Sequence, residues 1–182
     1  MAVHVEWARA RPGGPGSFGG ALLAGLMVTA LLGACRDPAD VASEWPPSSV
    51  PRDVLLAVPE QVDIDGRSYV LEAELWRDYM PVSPPDGRPL AAVVYVGATD
   101  LQDADHGLDV DRVYVVYGED AREAPVADQD VLQPPPYRIR RIAQGGPKWP
   151  TESFVDVIVR VRSPQSGDVL LRASGQRIGR TE

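Results

Sequence analysis

The chain has 182 residues, a formal net charge of -8, and a single cysteine. The negative charge argues against general nucleic-acid binding, because a phosphate backbone attracts a cationic surface. The mean hydropathy of -0.16 excludes a multi-span membrane protein. One cysteine excludes an internal disulfide and every metal or redox site that needs two thiolates, and the length favours one folded domain.

An apolar run near the start of the chain predicts a targeting segment. The run covers the twelve residues Ala21–Leu32 and follows Arg9 and Arg11. A bilayer span needs roughly 20 apolar residues, so this run has the length of a signal-peptide core instead. It ends in Leu32-Gly33-Ala34-Cys35, which resembles the bacterial lipobox. The resemblance implies that residues 1–34 are removed and that Cys35 is acylated as the mature N-terminus.

The lipobox resemblance also implies a location and a layout. Multiple acyl chains hold a protein firmly at a membrane. The resemblance favours the outer membrane of a Gram-negative host, because Arg36 and not aspartate follows the cysteine. Residues 35–53 are rich in proline, serine and alanine, and therefore predict a flexible tether. The predicted domains are a signal peptide (1–34), the lipidated cysteine and tether (35–53), and a β domain (54–182).

Short alternating segments dominate the rest of the chain. They are separated by glycine, proline and aspartate turns, and no amphipathic helix of ten or more residues is evident. The predicted strands are Gln61–Ile64, Arg67–Arg77, Leu90–Thr99, Arg112–Tyr117, Ala121–Val126, Tyr137–Ala143, Phe154–Arg162 and Asp168–Ser174. This pattern predicts an all-β fold, either an antiparallel β-sandwich with an immunoglobulin-like arrangement or a small closed β-barrel.

The sequence indicates the two faces of one strand and the turn between two others. In Phe154–Arg162 the four valines share one face, which predicts one core face and one solvent face. Asp65-Gly66 lies between the first two strands and is typical of a two-residue hairpin turn.

Charge is unevenly distributed along the mature chain. Residues 36–136 contain 7 basic and 21 acidic side chains, whereas residues 137–182 contain 9 basic and 4 acidic ones. We expect strands from the two segments to be neighbours that neutralise each other. The alternative is a basic strip that binds an anionic glycan, a lipid headgroup or an acidic partner. Its members would be Arg138, Arg140, Arg160, Arg162 and Arg172.

The acidic loop 100–111 is a candidate for calcium binding. Its oxygen ligands would come from Asp100, Asp103, Asp105, Asp109 and Asp111. The loop departs from the EF-hand pattern, since Gly107 stands at a ligand position, and a solvated loop is favoured. His106 is the only histidine after the signal peptide, and no G-x-S-x-G motif accompanies it. A carboxylate pair such as Glu72 and Glu74 is the remaining hydrolytic candidate.

Aromatic residues lie beside prolines in two segments. Trp76 and Tyr79 belong to WRDYMPVSPPDGRPL, and Trp149 belongs to GGPKWPTES. If the segments meet, their rings either plug one end of the core or form a platform for a partner or a carbohydrate. LEAELWRDYMPVSPPDGRPL and GPKWP also resemble segments of uncharacterised bacterial lipoproteins, and that resemblance implies no particular activity.

The sequence thus predicts a lipid-anchored, non-enzymatic binding or structural module of the cell envelope. We expect no cofactor and no nucleic acid, and an envelope protein or glycan as partner. Two alternatives stay open: a hydrolase that acts on envelope polymers through carboxylates, and a calcium-stabilised adhesion module.

Overall fold

The computed structural model describes residues 45–102, 107–128 and 135–182, which belong to one compact unit. The predicted targeting residues Leu32, Gly33, Ala34 and Cys35 lie outside these ranges, as do Asp103, Asp105 and His106. Within the described ranges, no helix combines the length and the apolar character needed to cross a bilayer.

The described part of the chain is all-β, as predicted, with one short helix before the first strand. The helix α1 is Arg52–Leu56. The strands are β1 (Gln61–Ile64), β2 (Arg67–Asp78), β3 (Leu90–Ala98), β4 (Asp109–Tyr117), β5 (Asp120–Pro125), β6 (Arg138–Gly146), β7 (Phe154–Ser163) and β8 (Gly167–Thr181). Each of the eight predicted segments overlaps one of these strands.

The strands form one sheet that curls into a half-barrel. Their order is β5-β4-β7-β8-β2-β3-β6, and β1 pairs with β2 beside this path. The predicted turn at Asp65-Gly66 joins β1 to β2, and both residues have positive φ, 52° and 81°. That geometry is the type I′ turn that suits the twist of a hairpin.

The long strand β8 connects the two halves of the sheet. Residues 167–177 pair antiparallel with β7, whereas Ile178–Thr181 pair parallel with β2. Gly175, with φ of 62°, lies just before the change of partner. The expectation of a purely antiparallel sheet is therefore wrong at this pair. The predicted strand at Asp168–Ser174 also ends too early, because the polar residues after it show no clear alternation.

The main core lies on the concave side of the sheet. The predicted core face of β7 is confirmed, since its four valines are at most 2% exposed. The predicted solvent face is wrong at Ile158, which is also fully buried. α1 and the turn after it cover this part of the outer face, where Leu55 and Val58 pack with Tyr114 and Ile158 in a second, smaller core.

The folded domain begins earlier than the tether prediction allows. Trp45 is 3% exposed, belongs to the main core, and donates from its indole nitrogen to the Gln144 carbonyl at 2.9 Å. Pro47 forms an antiparallel bridge with Arg122 of β5. Residues 45–53, assigned to the tether from composition, are therefore part of the domain, because one buried tryptophan and the edge of β5 hold them.

Candidate binding surface at the loop end

Two loops lie together at one end of the sheet, called here the loop end. Residues 79–89 form loop A, between β2 and β3, and residues 147–153 form loop B, between β6 and β7. Leu90 pairs with Gly146, so loop A ends where loop B begins. The two aromatic and proline-rich segments of the sequence therefore meet.

A buried arginine fixes the two loops to each other. Alternation along β2 places Arg77 on the same face as the core residue Leu75, and it is only 5% exposed. Its Nε donates to the Arg88 carbonyl at 3.0 Å, and its Nη1 donates to the Trp149 carbonyl at 3.1 Å. Further carbonyl acceptors are those of Asp86 and Lys148. One guanidinium thus ties both loops across the open end of the curled sheet.

Tyr79 packs at the base of loop A. The Arg180 guanidinium carbon lies 4.0 Å from the Tyr79 ring centroid, within the range of a cation–π contact. Gly87 lies against the ring so closely that an added Cβ would come within 2.5 Å of the Tyr79 Cζ. Its φ of 76° independently favours glycine. Loop A therefore has a fixed conformation.

The three predicted aromatic residues do not form one platform. Trp149 is 9% exposed and packs in the main core, with its ring centroid 5.4 Å from that of Tyr117. Trp76 is half-buried on the outer face of β2, opposite Ala91. Trp149 thus occupies the position of a core plug, and Trp76 points to the other side of the sheet.

The outermost part of loop A is apolar and exposed. This apolar tip, residues 80–85, contains Met80 at 44% exposure, Val82 at 83% exposure, and three exposed prolines, Pro81, Pro84 and Pro85. A turn fixes it, because the Ser83 amide donates to the Met80 carbonyl at 2.7 Å. Asp86, just after the tip, accepts from Lys148 of loop B at 2.6 Å. The tip is an exposed apolar projection with paired charges at its edge.

The predicted basic strip is divided between strands that are not neighbours in the sheet. Arg160, Arg162 and Arg172 lie on the adjacent strands β7 and β8, whereas Arg138 and Arg140 lie on the edge strand β6, with β2 and β3 between the two groups. The Arg138 guanidinium binds Glu72 at 2.8 Å. In the part of the chain that the structure describes, Nε and Nη1 of Arg140 are buried without a hydrogen-bond partner.

Cross-strand ion pairs join the acidic and basic halves of the chain, as the charge distribution predicts. Asp111 accepts from Arg160 at 2.5 and 2.9 Å and from Arg162 at 2.7 Å. The Arg160 guanidinium holds the pKa of the Asp111 carboxyl below its ordinary value. Arg172 likewise lies 3.6 Å from Glu60. The neutralising interpretation is confirmed for these residues.

The described members of the acidic loop contact arginines. Asp100 binds Arg67 at 2.7 Å, which lowers the pKa of its carboxyl, and Asp109 binds Arg141 at 3.1 Å. Asp111 is paired as described above. Among residues 45–102, 107–128 and 135–182, no three acidic, histidine or cysteine side chains are grouped as metal ligands would be.

Sequence reasoning missed two features. A hollow of about 180 Å³ lies at the opposite end of the sheet, called here the turn end, and is lined by Ile64, Asp65, Arg67, Tyr69 and Gln165. Hydroxyls of Ser163 and Ser166 donate to Asp65 and hold the pKa of its carboxyl below the ordinary value. The second missed feature is Arg77. Its position continues the alternation of the core residues 71, 73 and 75, so the sequence pattern indicates a side chain on the core face.

The fold and this surface define a class: an all-β domain on one curled sheet, with two loops fixed across one end by an internal arginine. The chain matches no known protein family, no curated protein and no solved structure.

Proposed function

We propose that the protein is a lipid-anchored, non-enzymatic binding or structural module of the bacterial cell envelope. The observation that carries the proposal is the position of Trp45. A buried residue of the folded domain stands ten positions after Cys35, so only residues 36–44 separate a lipobox-like cysteine from the domain. A leader, a short spacer and a folded domain, in that order, are the layout of a lipidated precursor.

The spacer length supports a role at the membrane surface. Nine residues reach at most about 30 Å when fully extended. Since residues 45–53 pack on the sheet, the domain cannot move as far from its anchor as composition alone suggests. We therefore assign its role to the zone next to the bilayer.

The curled sheet supports the barrel alternative over the sandwich in this proposal. Past β5, Ala127 forms an antiparallel bridge with Ile142 of β6, through hydrogen bonds of 2.9 and 3.0 Å. Trp45 joins the same two edges, because its backbone lies beside β5 and its indole bonds to β6. These contacts favour a small, nearly closed barrel as a rigid carrier of its end loops.

Mass spectrometry of the native protein tests the anchor. We expect a mature chain that begins at Cys35, with a diacylglyceryl group on the thiol. Cys35→Ser is the matched variant, and it should carry no acyl group and keep residues 1–34. A native protein with an unmodified Cys35 would contradict the proposal.

Two measurements separate the alternatives. A calcium-stabilised module should melt at a higher temperature in millimolar calcium, by the linkage between binding and stability. An envelope-polymer hydrolase should release product from purified envelope glycans and lose this activity on Glu72→Gln or Glu74→Gln. The binding-module proposal expects neither a melting shift nor product release.

A further inference from the structure

We infer that the outer face of the sheet carries a glycan-binding notch, with Gly179 as its floor and Trp76 and Phe154 on its two sides. The inference rests on the proposed role as an envelope binding module and names the ligand class, a chain of N-acetylhexosamines. The notch lies on the face of the sheet opposite the main core.

The pairing of β8 brings the three residues of the notch together. Trp76 of β2 lies opposite Gly179 of β8, and Phe154 of β7 lies opposite Arg177, two residues earlier in β8. Alternation places them on the outer face, since a sequence neighbour of each belongs to the main core, namely Leu75, Val155 and Ile178. Two strand spacings and two residues separate Trp76 from Phe154, or about 12 Å between Cα atoms. Side chains stand roughly perpendicular to a sheet, so a sugar ring fits between the two aromatic side chains.

The notch is open. Phe154 is 65% exposed, and Trp76 is half-buried, in contrast to the two other described tryptophans, which lie in the main core. Among the described residues, only the Leu75 carbonyl oxygen and the Trp76 Cβ would lie within 4 Å of a Cβ added at Gly179. On the other side, Trp76 lies opposite Ala91. Trp76 therefore has a small residue beside it on each neighbouring strand.

Polar groups border the notch without an excess of positive charge. Glu74, two residues before Trp76 in β2, is exposed, and within the described part of the chain no hydrogen bond or ion pair engages it. Arg177, next to Phe154, forms an ion pair with Glu152 of loop B. A free carboxylate accepts hydrogen bonds from hydroxyl groups, and the ion pair offers donors and acceptors together.

This combination favours a sugar over the other ligand classes. A lipid surface would remove water from the Glu74 carboxylate, and the net charge of -8 disfavours a nucleic acid. Sugar rings have apolar C–H faces and a rim of hydroxyl groups, which match an aromatic ring beside a free carboxylate. N-acetylhexosamine chains expose such faces on successive rings, and they form the glycan strands of bacterial envelopes.

Tryptophan fluorescence tests the notch directly, because Trp45 and Trp149 are only 3% and 9% exposed. Full-length protein that carries Trp7→Phe is purified from cells in a detergent without a sugar headgroup, so that acrylamide quenches mainly the emission of Trp76. The protein is then titrated with chitohexaose, a hexamer of N-acetylglucosamine. We expect the sugar to lower the acrylamide quenching of Trp76 with a saturable dependence on its concentration.

Three variants locate the binding site. Phe154→Ala should weaken the binding of chitohexaose about 5- to 10-fold, the change typical of one lost aromatic contact. Val82→Ala is the matched control, because it removes an even more exposed apolar side chain from loop A, and it should leave the affinity unchanged. Glu74→Gln keeps the size of the side chain and should weaken binding about 5-fold.

The outcomes separate the inference from the proposal on which it rests. Quenching of Trp76 that chitohexaose leaves unchanged overturns the inference, as do equal affinities of Phe154→Ala and Val82→Ala. Protection of Trp76 that rises with protein concentration in the absence of sugar overturns it in favour of a second copy of the chain. Normal chitohexaose binding by a protein with an unmodified Cys35 contradicts the lipid anchor and supports the notch.

Discussion

Replacing Arg77 with methionine should destabilise the domain, because the loop carbonyls that now accept hydrogen bonds from its guanidinium would lose their donor. Methionine fills most of the aliphatic volume but leaves four loop carbonyls without their donor, including those of Arg88 and Trp149. A hydrogen bond to a charged group contributes about 1.5–3 kcal/mol, and water that enters the vacated space restores part of this. We expect a net loss of about 3 kcal/mol, which lowers the melting temperature of a domain of this size by roughly 10 °C.

The assay is urea unfolding of the mature chain, followed by tryptophan fluorescence, with Arg88→Met as the matched control. The Arg88 side chain is 49% exposed and lies 3.4 Å from Asp78, so its loss should cost less than about 0.5 kcal/mol. Hydrogen exchange supplies a local measurement, because the amides of Ser83 and Gly87 should lose protection when the loops are released. If Arg77→Met and Arg88→Met unfold at the same urea concentration, the account of Arg77 is wrong.

Three further substitutions test other parts of the structure. Gly87→Ala should lower the free energy of unfolding by about 3 kcal/mol, measured by calorimetry, because the added methyl group meets the Tyr79 ring. Gly66→Ala, with a similar φ but open space around it, should lower the free energy by about 1 kcal/mol. Equal losses would show that contact with Tyr79 has no effect. Asp111→Asn should lower the free energy of unfolding at pH 7. Because the folded-state pKa of this carboxyl is lowered, its contribution is present above the unfolded pKa of about 3.9 and is lost as the pH falls through the folded value. The difference between the urea unfolding midpoints of the wild type and Asp111→Asn should therefore be smaller at pH 3 than at pH 7. The same difference at both pH values would contradict the ion-pair account. Trp45→Ala should lower the free energy of unfolding by about 3–5 kcal/mol. In limited proteolysis, the first cut should move from before residue 45 into residues 45–53. An unchanged cleavage pattern would show that residues 45–53 belong to the flexible tether.

The strands could be predicted because their core faces alternate. The valines of β7 repeat every second residue, and Asp65-Gly66 fixes a hairpin turn by local chemistry alone. Local patterns of this kind carry most of the secondary structure of the domain.

The missed features depend on contacts between residues far apart in sequence. Trp45 stands in a proline- and serine-rich stretch, and contacts with distant residues show that the stretch is folded: Trp45 with Gln144, 99 residues later, and Pro47 with Arg122. Alternation along β7 assigns Ile158 to the solvent face, and only its packing against α1 shows that it is buried. The carbonyls that bind Arg77 belong to loops whose meeting is a property of the sheet order, which no single segment encodes.

The double pairing of β8 has a consequence for when the domain can fold. Asp78 pairs with Thr181, so this part of the sheet joins residues 103 positions apart in the chain. Non-local pairs of this kind form slowly, because the entropy of closing a long loop is lost before any contact compensates for it. A growing chain cannot complete the sheet until residue 181 has been synthesised. Until then, the end of β2 has no partner at the position that β8 takes in the finished sheet.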